Sequence, residues 1–87
     1  MYQVMVQHFK SYKTGRATKQ YGKQSVLNTN SRKKAKTVRD SLADAYMRET
    51  PGNWETDSTI AGGGKIIRLK ELDTGEGYFI FVRKVEK

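Results

Sequence analysis

The sequence contains no cysteine, a single histidine and a single proline. Without cysteine there is no disulfide, thiolate metal site or thiol nucleophile, and we expect a protein of a reducing compartment. No apolar run approaches the roughly 18 residues that a membrane helix requires. The opening residues alternate apolar side chains with uncharged glutamines, unlike a secretory signal. These absences predict a cytoplasmic protein with no membrane contact, in the host cytoplasm if it is phage-encoded.

Length and composition limit the core. The chain has 87 residues, of which 36% are apolar. A chain of this size buries only roughly 60% of the surface that its unfolded form exposes. We therefore expect one domain over residues 1–87 with a thin core.

Carboxylates are missing from the first 39 residues, which carry ten Lys and Arg and no Asp or Glu. The remainder of the chain carries seven basic and nine acidic residues, so the two parts have formal charges of +10 and −2. An ordinary surface intersperses both signs, because neighbouring opposite charges relieve repulsion. A solvated, solubilising surface is one interpretation. An anionic partner is the other, and asymmetry between the two parts favours it.

Residues 2–28 have the pattern of a β-hairpin. Apolar and polar residues alternate from Tyr2 to Phe9, and a weaker strand follows with Tyr21, Ser25 and Leu27 on one face. A turn at Thr14-Gly15 would join the strands and pair Lys10 with Lys19, although the register could slip by one residue. In either register the tip is entirely basic.

A helix is predicted over about residues 32–49. The segment Asn28-Thr29-Asn30-Ser31 offers several N-caps, and Thr50-Pro51-Gly52 ends the helix. An apolar stripe follows helical spacing through Ala35, Val38, Leu42, Ala45 and Tyr46.

The C-terminal part, about residues 65–85, has the pattern of a second hairpin, and Trp54 to Ile60 could add a short strand. This order predicts an α+β fold in which an antiparallel sheet of four or five strands is covered on one face by a single helix. The helix stripe would pack on Val4, Val6, Ile67, Leu69, Phe79 and Phe81, or on the opposite register of the last strand. Trp54 would cap the core or belong to a partner-binding loop with Gly62–Gly64.

Catalytic chemistry is hard to assemble from these residues. The lone His8 lies within an alternating strand, where a histidine at a sheet edge or facing solvent is the simpler interpretation. No ligand spacing for a metal is present. The segment Gly62-Gly63-Gly64-Lys65 lacks the first Gly and the final Ser or Thr of a phosphate-binding loop. We predict a protein that is not an enzyme and binds neither a cofactor nor a metal.

The predicted helix is charged against its own dipole. Cations crowd its first turn, where carboxylates are favoured, and carboxylates lie toward its C-terminal half. A helix start surrounded by cations suits a docked phosphate, because its free N–H groups already attract anions. At 100° per residue Arg32, Lys36 and Arg39 form a stripe beside the apolar face, whereas Lys33 and Lys34 point elsewhere.

Two basic features would therefore meet an anionic partner, namely the hairpin tip and the helix start. Their candidate residues are Lys10, Lys13, Arg16, Lys19, Lys23, Arg32, Lys36 and Arg39. Tyr12 and Tyr21 could stack on bases, although Tyr21 is more simply a half-buried strand residue. The predicted function is non-enzymatic binding of nucleic acid, or of an acidic protein or nucleoprotein surface, by a monomer or homodimer.

The alternative is an inhibitor or adaptor that docks on a host protein complex. The chain resembles the small proteins that phages use against host machinery, including anti-CRISPR and polymerase-inhibiting proteins. It shares with them a small size, a single domain and the lack of cysteine and of a catalytic set. The likeness is one of scale and layout, and no sequence motif carries it.

Overall fold

The computed structural model describes the backbone of residues 1–11, 18–61 and 64–85, and the side chains of residues 1–10, 20–60 and 64–85. The described part has the predicted α+β fold, with the possible fifth strand present. Its elements in chain order are β1 (Tyr2–Ser11), β2 (Thr18–Thr29), α1 (Arg32–Glu49), β3 (Trp54–Ala61), β4 (Gly64–Glu71) and β5 (Glu76–Lys84).

The five strands form one antiparallel sheet in the order β2-β1-β5-β4-β3. Helix α1 connects the two edge strands and packs on one face of the sheet, against β1, β5 and β2. The opposite face, which we call the helix-free face, has no helix over it among the described residues. The core lies between α1 and the sheet and contains the fully buried Val4, Leu69 and Ile80.

Strand β2 is irregular, and this changes which of its residues share a face. Lys10 pairs with Lys19, as predicted, but the register shifts twice farther along the two strands. Leu27 pairs with Val4 and packs on the core, whereas Ser25 pairs with Met5 on the helix-free face. The prediction that Ser25 and Leu27 share a face was wrong, because an extra residue between their partners' positions reverses the alternation. The turn predicted at Thr14-Gly15 lies outside the described residues.

Helix α1 begins and ends where the sequence predicts. Ser31 is the N-cap, and its hydroxyl accepts a hydrogen bond from the Lys34 N–H at 3.1 Å. The Thr50 N–H closes the last turn on the Tyr46 carbonyl. Of the predicted stripe, Ala35 is fully buried and the other members are half-buried, whereas Ala43 was missed.

Strand β5 takes the second of the two registers that the sequence left open. Tyr78, Ile80 and Val82 face the helix and belong to the core cluster. Phe79 and Phe81 therefore lie on the helix-free face, because successive strand residues point to opposite sides. The alternative in which these two phenylalanines pack against α1 is therefore wrong.

Two connections meet at the end of β4. The Glu71 carboxylate accepts hydrogen bonds from the N–H groups of Asn53 (3.0 Å), Asp73 (3.2 Å) and Thr74 (2.7 Å). Trp54 packs against the core, as the simpler interpretation predicted, and its indole Nε1–H donates to the Thr50 carbonyl at 2.8 Å. These bonds fix the path from α1 into β3 beside the β4–β5 turn.

Candidate functional site

An open groove lies between the first half of α1 and the end of the sheet where β1 begins. Its volume is about 570 Å³. Tyr2 and Val82 contribute apolar surface to the groove, and Ile60, which is 75% exposed, adds a further apolar side chain. We call this feature the basic groove, because its remaining side chains are the cations Arg32, Lys36, Arg39, Lys65 and Lys84.

The topology explains why these cations converge. The first three lie on one side of the first turns of α1, as their spacing predicts. Lys84 ends β5 opposite Tyr2, and Lys65 lies at the start of β4 opposite Ile60. Because β4 and β5 are antiparallel, the start of one and the end of the other lie at the same end of the sheet, beside the helix start.

None of the described residues that line the basic groove is acidic. Arg39 is 7% exposed, and its Nε donates to the neighbouring Asp40 carboxylate at 3.0 Å. Among the described residues the other four cations have no ion pair. An anion that binds these four side chains therefore displaces no ion-pair partner among the described residues.

Farther along the same side of α1, toward its C-terminal half, lies a groove of opposite character. This second groove, of about 380 Å³, is lined by the carboxylates of Asp40 and Asp44 and by residues 56–58 of β3, and it shares Lys65 with the basic groove. The first part of this side of the helix thus borders a cationic groove and its later part an acidic one.

The structure brings together the three helix cations that the sequence singled out, Arg32, Lys36 and Arg39. Lys33 and Lys34 are exposed and lie outside the groove, as predicted. Lys65 and Lys84 were missed, since they belong to the acidic part of the sequence. No local pattern marks them, because only the strand order brings them to the helix start.

The hairpin cations do not join this site. Lys10 and Lys19 pair eight residues along β1 from Tyr2, which is about 26 Å at the usual rise of a strand. Lys23 lies on the helix-free face, with its Nζ 5.6 Å from the Phe81 ring centroid. The prediction that the hairpin tip reaches the helix start was therefore wrong for Lys10, Lys19 and Lys23. Tyr12, Lys13 and Arg16 lie outside the described residues.

His8 belongs to a row of stacked rings in the interior of the sheet. It stacks on Tyr21 at 4.6 Å and on Tyr78 at 5.2 Å between ring centroids, and Tyr78 stacks on Tyr46 of α1 at 4.5 Å. Its strand lies between β2 and β5, so of the two predicted alternatives, a sheet edge or a side chain facing solvent, the edge position was wrong. Burial, and then Tyr46 and Glu76, raise the pKa of Tyr78. One face of the Tyr21 ring is therefore covered by His8.

Two further features bear on the range of functions. In residues 1–11, 18–61 and 64–85 no group of three or more His, Cys, Asp or Glu side chains could hold a metal ion. No helix in that part of the chain combines the length and apolar character needed to cross a membrane.

The chain matches no protein-family model, no curated protein and no solved structure.

Proposed function

We propose that this protein is a non-enzymatic binding protein that engages nucleic acid through the basic groove. One observation carries the proposal: five cations from three elements line a single open groove, and no acidic side chain is among the described residues that line it. Phosphate groups along a nucleic-acid strand supply the repeated negative charge that such a row of cations attracts. The hairpin tip is not needed for this mode of binding.

The groove combines the features that phosphate recognition uses. Arg32 presents a forked guanidinium, and Lys36 and Lys84 present mobile ammonium groups. The positive end of the α1 dipole points toward the same region and adds to their attraction for an anion. These are contacts to the backbone of the nucleic acid, and they position it without reading its sequence.

The test compares two double charge reversals that change the net charge by the same amount. Lys36→Glu with Lys84→Glu changes the groove, whereas Lys33→Glu with Lys34→Glu changes exposed positions of the same helix outside it. Binding to random duplex and single-stranded oligonucleotides is measured by fluorescence anisotropy. We expect the groove variant to bind at least about tenfold more weakly and the control to lose less than about threefold.

The two variants also separate the proposal from a general charge effect. Equal losses would mean that net charge, rather than the groove, attracts the nucleic acid. No binding of the unchanged protein even at low salt would reject the proposal and leave an acidic protein surface, the inhibitor or adaptor alternative, as the partner to seek. Circular dichroism of each variant checks that the fold is retained.

A further inference from the structure

The helix-free face of the sheet carries aromatic rings where a soluble domain usually presents polar side chains. Phe79 and Phe81 lie two residues apart on the central strand β5, flanked by Met5 and Phe9 of β1 and by Ile66 of β4. Met5 and Phe9 are almost fully buried, but Phe79 and Phe81 are only partly covered. The described residues place no helix over this face, so the two rings form a shallow apolar platform.

Cations surround this platform. Lys23 lies over the Phe81 ring, and the Arg68 guanidinium carbon is 6.0 Å from the Phe9 ring centroid. Arg83 follows Phe81 on the same face and donates through Nη2 to the Gln3 side-chain oxygen at 2.6 Å. Arg68 lies 3.8 Å from Asp57 of the edge strand β3.

The charges on this face are strongly one-sided. Along the described parts of β2, β1, β5 and β4, the register assigns no carboxylate to the helix-free face. Its carboxylates, Glu55 and Asp57, lie on β3 at one edge. A second copy of this chain docked face to face would bring the cations of the two copies together, which disfavours a dimer through this face.

We infer that the helix-free face binds single-stranded nucleic acid by stacking unpaired bases on Phe79 and Phe81. This inference rests on the proposed function and names the form of nucleic acid that the protein prefers. Aromatic rings interleaved with cations on an open sheet stack bases and hold the flanking phosphates without requiring a particular sequence. The two rings are about 6.6 Å apart along the strand, which lets each take its own base.

A duplex cannot use this platform, because its bases are already stacked and paired. The platform therefore adds affinity for a single strand only, whereas the basic groove, on the opposite side of the sheet, binds the backbone of either form. Lys23, the hairpin cation that does not reach the groove, lies over the Phe81 ring; a base that stacks on this ring displaces the Lys23 ammonium group, which then meets the flanking phosphate.

The experiment replaces the rings with apolar side chains that cannot stack. Phe79→Leu with Phe81→Leu is compared with Phe79→Tyr with Phe81→Tyr, which keeps both rings, and with Ile66→Leu on the same face. The probes are an oligothymidylate and an oligouridylate of about 12 nucleotides and a random duplex. We expect the leucine variant to bind both single strands at least about fivefold more weakly. Single-strand affinity of the tyrosine variant and of Ile66→Leu should change less than about twofold. Duplex affinity should change less than about twofold in every variant.

A second measurement needs no variant and does not depend on the leucine protein folding. Photo-cross-linking of the unchanged protein to an oligouridylate that carries 5-iodouridine is mapped to single residues. We expect adducts at Phe79 or Phe81. Adducts confined to the basic groove, or unchanged single-strand affinity of a folded leucine variant, would overturn the inference and leave the groove proposal intact. If the groove variant keeps its affinity for both the duplex and the single strands, the groove proposal is rejected, whatever the result for Phe79 and Phe81.

Discussion

Glu71 is held in its ionised form by N–H groups that come from two separate connections. Hydrogen bonding by the Thr74 side chain, then by the backbone of Asn53, Thr74 and Asp73, outweighs the opposing effect of burial and lowers the pKa of Glu71 from 4.5 to about 2. The carboxylate accepts from both the α1–β3 connection and the β4–β5 turn. Its contribution to stability therefore depends on its charge.

Acid should remove this contribution over a defined range of pH. Because the pKa is lower in the folded protein than in the unfolded chain, the stabilisation is fully present above about pH 4.5 and is lost as the pH falls toward 2. We expect Glu71→Gln to lower the free energy of unfolding near neutral pH. In urea titrations, the difference in the free energy of unfolding between Glu71→Gln and the unchanged protein should shrink as the pH falls through this range. The exposed Glu55→Gln is the control, and a gap that stays constant down to about pH 2 would contradict the assignment.

Gly77 occupies a position where any side chain collides with its surroundings. A Cβ there would lie 2.2 Å from the Leu69 carbonyl oxygen and 2.3 Å from the Phe9 ring, whereas at Gly22 it would meet nothing within 4 Å. The Phe9 ring lies over Gly77, its partner in the β1–β5 register, and fills the space that a side chain would take. Only the ring could shift, since the carbonyl belongs to the backbone of β4.

We expect Gly77→Ala to destabilise the protein by about 1–3 kcal/mol through overpacking. Gly22→Ala should change the free energy of unfolding by less than about 1 kcal/mol, because the position is open and its φ is not positive. Urea unfolding of both variants under one condition gives the comparison. Equal effects at the two glycines would show that loss of backbone freedom, rather than collision, governs both.

At the scale of elements, local signals were enough for the helix and for the existence of the strands. Ser31 and Pro51 mark the ends of α1, and alternation marks β1. The faces of the sheet to which the side chains of β2 and β5 point were harder to predict. A bulge leaves no mark in a polar strand such as β2, and β5 carries apolar residues on both faces, so alternation alone could not assign Phe79 and Ile80.

The helix start offers an element-scale test of the cost of its charges. The first turn of α1 contains no acidic residue, so its cations oppose the helix dipole. We expect Lys34→Glu, at an exposed position outside the basic groove, to raise the free energy of unfolding by about 0.3–1 kcal/mol. Lys34→Gln should give a smaller gain. A loss of stability in thermal unfolding of Lys34→Glu would mean that its present side chain makes a contact that outweighs the dipole.

At the scale of the whole molecule, the sequence predicted three of the five groove cations. The helix cations follow from helical spacing, but Lys65 and Lys84 lie in a part of the chain with net negative charge. They reach the helix start only because β4 and β5 pair in the centre of the sheet. The same strand order carries Lys10 and Lys19 to the far end, and no local pattern contains that information.

Because the groove cations and the pair Lys10 and Lys19 lie at opposite ends of the sheet, their contributions to the salt dependence of binding should differ. If each of the four unpaired groove cations meets one phosphate, log K for a duplex falls against log salt with a slope of about −3.6. Lys36→Gln with Lys84→Gln should make the slope less steep by about 1.8, because each neutralised contact removes about 0.9. Lys10→Gln with Lys19→Gln removes the same charge about 26 Å from Tyr2, and on a duplex of about six base pairs whose strands are joined by a non-nucleotide linker it should leave the slope unchanged. Titrations from about 50 to 200 mM salt measure all three. Equal reductions of the slope by both pairs would contradict the groove assignment. A duplex about 20 Å long that is held in the groove cannot also reach Lys10 and Lys19.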